Sequence, residues 1–174
     1  ASVVGITPDQ AEDILDAGAD AITLHARTRA QGYAGKADWE IQRQLVELAA
    51  GRIPVFGSGD AFTPETARQM LEETGVDAVM FARGAMGDPF LFRRTIQFLT
   101  TGEYQTETIA DRISAGFREL DLNIEEKGEK AACLLMRKKF CAYSSGIKGG
   151  SQLRARLIYA ETRQQYQDIL SQFL

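Results

Sequence analysis

Two short segments, Gly57-Ser58-Gly59-Asp60 and Ala82-Arg83-Gly84, set small residues beside a carboxylate and a guanidinium. Small residues let backbone N–H groups approach an anion closely, and an arginine adds a fixed charge and a fork of donors, so the pair suits a phosphate group. Asp60 has two readings here, an acceptor at a ligand or a cap near the helix that begins at Thr63. His25 is the single imidazole of the chain, and Arg27 follows it two residues later. With no second His and no Cys near it, a zinc site is not expected. His25 reads either as a group facing a ligand or as a hydrogen-bonded structural residue. Cys133 and Cys141 sit eight residues apart on one predicted helix, about 12 Å along its axis, too far for a disulfide. Core filling is the reading for both.

The elements that must position these groups alternate over the first hundred residues. Thr7-Pro8-Asp9-Gln10 places a capping Thr, a Pro at the first helical position and a Gln three residues after the cap. Ala11, Ile14 and Leu15 follow at helical spacing until Gly18, and Ala21-Ile22-Thr23-Leu24-His25 is a short strand. The plan repeats, since Thr63-Pro64-Glu65-Thr66 opens a helix with Ala67, Met70 and Leu71, Gly75 closes it, and Asp77 to Phe81 is the next strand. Between the copies, a helix is expected from Asp38 to Leu48 and a strand at Ile53-Pro54-Val55-Phe56. Three apolar strands, each followed by a helix, indicate parallel βα units of an α/β fold. In such sheets ligands gather at the carboxyl ends of the strands. Both small-residue segments and His25 occupy those ends.

A helix from Phe90 to Leu99 is followed by Thr100-Thr101-Gly102, a linker. From about Thr106 the pattern is helical to the end, punctuated by Gly128 and by the loop from Ser144 to Gly150. The chain therefore divides into an α/β region, residues 1–102, and a helical bundle, residues 103–174. With 44% hydrophobic and 25% charged residues in 174, disorder and collagen-like structure are excluded. Two Cys do not make a disulfide framework. No apolar run reaches the roughly 20 residues of a membrane helix, so no membrane partner and a cytoplasmic location are expected.

The net charge of −4 hides a local excess. Residues 127–163 hold nine Lys and Arg against Glu129 and Glu161, a net of +7. Such a stretch is either the footprint of a phosphate-rich polymer or a solvated helical face. Phe140 and Tyr143 beside it could stack on bases, or fill the bundle core at helical spacing.

The run His25-Ala26-Arg27-Thr28-Arg29-Ala30-Gln31-Gly32-Tyr33, with Gly35 and Ala37-Asp38-Trp39, resembles the signature loop of the flavin-dependent tRNA-dihydrouridine synthases, above all their bacterial B-type branch. Ile53-Pro54-Val55, Gly57 to Asp60, Asp77 to Met80, Ala82 to Ala85, Asp88-Pro89 and Met136-Arg137-Lys138-Lys139-Phe140 follow at matching intervals. The resemblance implies the C-terminal part of a (β/α)₈ TIM barrel, holding strands six to eight, and a helical tRNA-binding domain. It implies FMN, with NADPH as reductant, and reduction of the C5=C6 bond of uridines in tRNA. Carried over residue by residue, His25, Ser58, Gly59, Asp60, Ala82 and Arg83 would surround the flavin, while Arg27, Arg29, Arg137, Lys138 and Lys139 would meet tRNA.

Two departures stand out, since the family usually has Asn at Ser58 and Gly at Ala82. The family's proton-donating Cys follows the fourth barrel strand, and a flavin-contacting Lys lies on the fifth. Neither is expected in a chain that opens near the helix before strand six, so this chain by itself would be inactive. Two rival readings remain, another FMN-dependent barrel oxidoreductase acting on a small molecule and a non-catalytic RNA-binding fragment.

Overall fold

The computed structural model describes residues 2–4 and 7–174. They fall into two compact units, one running to Gly84 and taking in Leu91–Tyr104, the other comprising Ala85–Phe90 and Gln105–Leu174.

The first unit is a parallel sheet with helical connections. Strands β1 (Ser2–Val4), β2 (Ile22–His25), β3 (Val55–Ser58) and β4 (Ala78–Met80) lie side by side in chain order, every neighbouring pair parallel. Helices α1 (Pro8–Asp16), α2 (Glu40–Ala49) and α3 (Pro64–Thr74) make the crossovers, and α4 (Leu91–Thr101) follows β4. The capping signals act as the sequence suggests. Thr7 and Thr63 each accept the N–H three residues on, and the residue there returns a bond to the cap, so two orphan donors are satisfied at each start. Ile22, Leu24, Leu45, Val55 and Met70 are buried in the core between sheet and helices.

Three expectations are corrected. The sheet has four described strands rather than three, because Ser2-Val3-Val4 pairs with β2, Val4 opposite His25. A run of three residues is too short for periodicity to announce. Strand β3 runs from Val55 to Ser58 instead of from Ile53, so the small residues Gly57 and Ser58 belong to the strand itself. Helix α2 starts at Glu40, where Asp38 still accepts the Glu40 N–H at 3.2 Å, a shift within ordinary end fraying.

The second unit is helical, with α5 (Ile109–Lys127), α6 (Glu129–Tyr143), α7 (Gly150–Leu157) and α8 (Arg163–Leu170). Leu120, Met136, Phe140, Leu153, Leu157 and Tyr166 are fully buried in its core. Phe140 packs edge-on against Phe117 and tilts onto Tyr166, with centroids at 5.2 and 4.7 Å. Phe140 and Tyr143 are therefore core residues and not base-stacking surfaces. Among the described residues, no helix is long and apolar enough to cross a membrane.

Candidate functional site

The parallel register sets His25 opposite Ser58 at the carboxyl ends of β2 and β3. His25 Nδ1 and Ser58 Oγ share a hydrogen bond of 3.1 Å, with Ser58 buried and His25 half-buried. Gln42, fully buried on α2, donates its amide to the Leu24 and Ser58 carbonyls at 3.2 and 2.7 Å. It closes strand-end acceptors from behind. Gln42 is absent from the sequence-based candidates, although its spacing with Leu45 and Ala49 on the inner face of α2 would have exposed it as a buried polar residue.

Arg27 turns inward. It is 4% exposed, and its guanidinium donates to the carbonyls of Gly32, Ala34 and Gly35 at 3.1, 3.0 and 2.9 Å. Its Nη2 also bonds both Asp60 oxygens, at 2.9 and 2.7 Å. A buried charge must be paired and hydrogen-bonded, and here the loop after β2 folds around it. Against the expectation that Arg27 meets tRNA, its Nη1 and Nη2 are engaged inside the chain and its Nε is buried without a partner, so the guanidinium does not face solvent. Arg29, by contrast, is exposed on the same loop and enters no ion pair among the described residues.

Asp60 stands two residues past the end of β3 and does not cap a helix, since Thr63 caps α3 itself. Its backbone is left-handed, φ 58°, after Gly59 at φ 123°. That turn aims the carboxylate at three donors, Arg27, the Ala37 N–H at 2.7 Å, and Arg83 Nη2 at 3.2 Å. Burial alone would raise the Asp60 carboxyl, but the Ala37 N–H and Arg27, then Arg83, outweigh it and hold the group below the ordinary carboxylate value.

Beyond β4, Ala82 is exposed and Arg83–Ala85 form a single 3₁₀ turn, whose first N–H groups have no acceptor within the turn. A Cβ on Gly84 would stand 2.7 Å from the Ala61 carbonyl oxygen and 3.1 Å from Phe62 Cα. The two small-residue segments thus meet in space, and glycine is what lets them meet. Arg83 lies over the Tyr33 ring at 4.1 Å and the Phe62 ring at 5.2 Å. A cleft of about 650 Å³ opens here, bordered by Tyr33, Lys36, Asp60, Phe62 and Arg83.

In the helical unit the basic stretch is partly neutralised by α5. Lys139 pairs with Glu119, which also accepts the Tyr143 hydroxyl at 2.9 Å, and Arg163 pairs with Asp121 at 2.6 Å. Arg137 reaches the Ala160 carbonyl at 3.4 Å and lies 3.9 Å from Glu161. Lys138 is exposed and enters no ion pair among the described residues, as do Lys130, Lys148, Arg154 and Arg156. Counting along the chain missed the carboxylates of α5, which face these cations from outside the stretch. Both cysteines lie on α6, where burial pushes each thiol up, helped at Cys133 by Glu129. Cys133 is a core residue and Cys141 is half-buried outside the core, so the core-filling reading holds for the first alone, and a raised thiol suits neither to chemistry that needs a thiolate. No group of three or more His, Cys, Asp and Glu among the described residues could hold a metal.

Parallel βα units with small-residue turns at the strand ends define an α/β protein of the class whose sites lie at the carboxyl ends of the strands. The comparisons narrow that class. The family model for "Dihydrouridine synthase (Dus)" matches residues 7–174, and the chain belongs to that family. It is 49% identical over 156 residues to a "Probable tRNA-dihydrouridine synthase" of Treponema pallidum (strain Nichols), covering 88% of this chain and 46% of that protein. It is 38% identical over 163 residues to "Probable tRNA-dihydrouridine synthase 1" of Synechocystis sp., covering 93% and 45%. With the "tRNA-dihydrouridine synthase B" of Pseudomonas aeruginosa the identity is 34% over 142 residues, covering 80% and 42%. The chain thus spans a little under half the length of these relatives.

Proposed function

We propose that the protein carrying this chain reduces the C5=C6 bond of uridines in tRNA, in the cytoplasm, with FMN as cofactor and NADPH as reductant. The four strands then form part of a (β/α)₈ barrel, residues 1–102, and residues 103–174 help hold tRNA. Family membership supports the reaction class. The observation that carries the cofactor assignment is the meeting of the two turns at Gly84, beside Arg83.

The residues present fit the phosphate end of FMN. Arg83 keeps Nε and Nη1 without a described partner, and Gly84 lets its turn approach the Ala61-Phe62 backbone. Asp60 would repel a phosphate, but its charge is met by two guanidinium groups. Arg83, with backbone N–H groups from the turns at Ser58-Gly59 and Ala82-Arg83, would hold the phosphate, and His25, fixed by Ser58, would contact the flavin. FMN when bound supplies the hydride chemistry, and the protein supplies placement. Arg29, Lys138, Arg137 and Lys139 would meet tRNA, with Arg27 serving them by shaping the loop that carries Arg29. Neither Cys133 nor Cys141 lies at a strand end, so the proton donor to the second carbon is not among the groups placed here, and these 174 residues alone would not turn over.

Titration of the chain with FMN and with riboflavin, which lacks the phosphate, tests the cofactor assignment by quenching of flavin fluorescence. FMN is expected to bind at least about tenfold more tightly, a difference of about 1.4 kcal/mol, and Arg83→Gln to erase the difference. Equal binding of the two flavins would refute the assignment.

A further inference from the structure

We propose that Asp60 is a positioning residue for Arg83, acting from the fixed point that Arg27 provides, and not itself a ligand of the cofactor. The inference rests on the flavin-phosphate reading above. An ionised carboxylate accepts at about four lone-pair sites and donates nothing. Three donors of the chain itself converge on Asp60: the Ala37 N–H on Oδ2, Arg83 on Oδ1, and Arg27, whose Nη2 also serves the Gly35 carbonyl and shares one N–H between both oxygens. The carboxylate is thus turned toward the chain's own donors, and a second anion has nothing to gain from it. Its influence on a bound phosphate therefore passes through Arg83.

The geometry suits that task. Arg27 is buried and anchored by three loop carbonyls, so the Asp60 carboxylate is held at a defined point. The chain adopts a left-handed conformation at a non-glycine residue to reach that point, which Asp tolerates better than most side chains. Arg83 is then gripped by one carboxylate oxygen and two rings, while Nε and Nη1 remain for a ligand. An arginine otherwise carries rotamer freedom that binding would have to remove. Asp60 removes it beforehand. The rival view, in which Asp60 competes with the ligand for Arg83, gives the opposite sign for its removal.

The test uses the full chain as wild type, Asp60→Asn, Arg83→Gln and the double variant, each titrated with FMN and riboflavin, with thermal melts as folding controls. Asp60→Asn is expected to weaken FMN about tenfold, to leave riboflavin within about twofold, and to add less than about twofold in the Arg83→Gln background. Tighter or unchanged FMN binding by Asp60→Asn overturns the proposal, as does equal weakening of both flavins, or a full tenfold effect that persists without Arg83. Asp60→Glu, which keeps the charge but moves it by one methylene, carries the test if the Asn variant does not fold, and must also weaken FMN selectively. Trp39 donates to the Gly59 carbonyl at 2.9 Å, and as the single Trp its emission reports whether the turn keeps its place. A wild type that binds FMN no better than riboflavin fails the cofactor reading itself. A wild type that prefers FMN, with Asp60→Asn behaving as wild type, fails this inference alone.

Discussion

Arg27 is where a residue's role departs most from its neighbours in sequence. Arg27→Gln removes the buried donor shared by three loop carbonyls and Asp60, which keeps only Arg83 and the Ala37 N–H, so it is expected to destabilise the first unit by about 3 kcal/mol, read from denaturant unfolding. Amide exchange over residues 28–36 should rise with it, because their carbonyls lose their common donor. The Asp60 carboxyl gives a second expectation, with a defined sign. Its value is depressed in the folded chain, so the stabilisation it provides is complete above its unfolded value of about 3.9 and is lost as pH falls through the lower folded one. Wild type should therefore lose stability below about pH 4 by a component that Asp60→Asn lacks, measured as the difference between their melting curves. That His25, Ser58 and Arg83 stand at or just past strand ends was legible, because strand ends are readable from apolar runs. The inward turn of Arg27 was not readable, since its acceptor Asp60 is 33 residues away and meets it only through the β2–β3 register.

At the scale of elements, helix starts were legible and helix environments were not. Thr7 and Thr63, read from the sequence, cap the helices that follow them in reciprocal capping boxes, and Thr108 and Thr162, not singled out there, do the same. Cap chemistry is local, so one sequence suffices to find it. The neutralisation of Lys139 and Arg163 by α5 depends on helix packing, and charge counting along the chain cannot see it. Packing also fixes Gly87, at φ 70°, where a Cβ would lie 2.6 Å from the Ala142 carbonyl carbon and the Tyr143 nitrogen. Backbone cannot yield as a flexible side chain can. Gly87→Ala is expected to destabilise the helical unit by about 1–3 kcal/mol, seen as a lower melting temperature by circular dichroism.

For the whole molecule, the proposed hold on tRNA falls to the cations that enter no ion pair among the described residues. Lys138→Glu and Arg156→Glu are expected to weaken tRNA binding and to flatten the dependence of log affinity on log salt by about one for each phosphate contact removed. Arg163→Glu should act differently, lowering stability through loss of its Asp121 pair. The parallel α/β class and the helical second part were legible from alternating strand and helix signals, whereas the fourth strand, three residues long, was not. The most direct test of the account is the dihydrouridine content of tRNA from cells in which the reading frame encoding this chain is deleted, mapped by mass spectrometry of digested tRNA. At least one position carrying dihydrouridine is expected to revert to uridine, two hydrogens lighter, and to be restored by the reintroduced frame. Dihydrouridine retained at every position would contradict it.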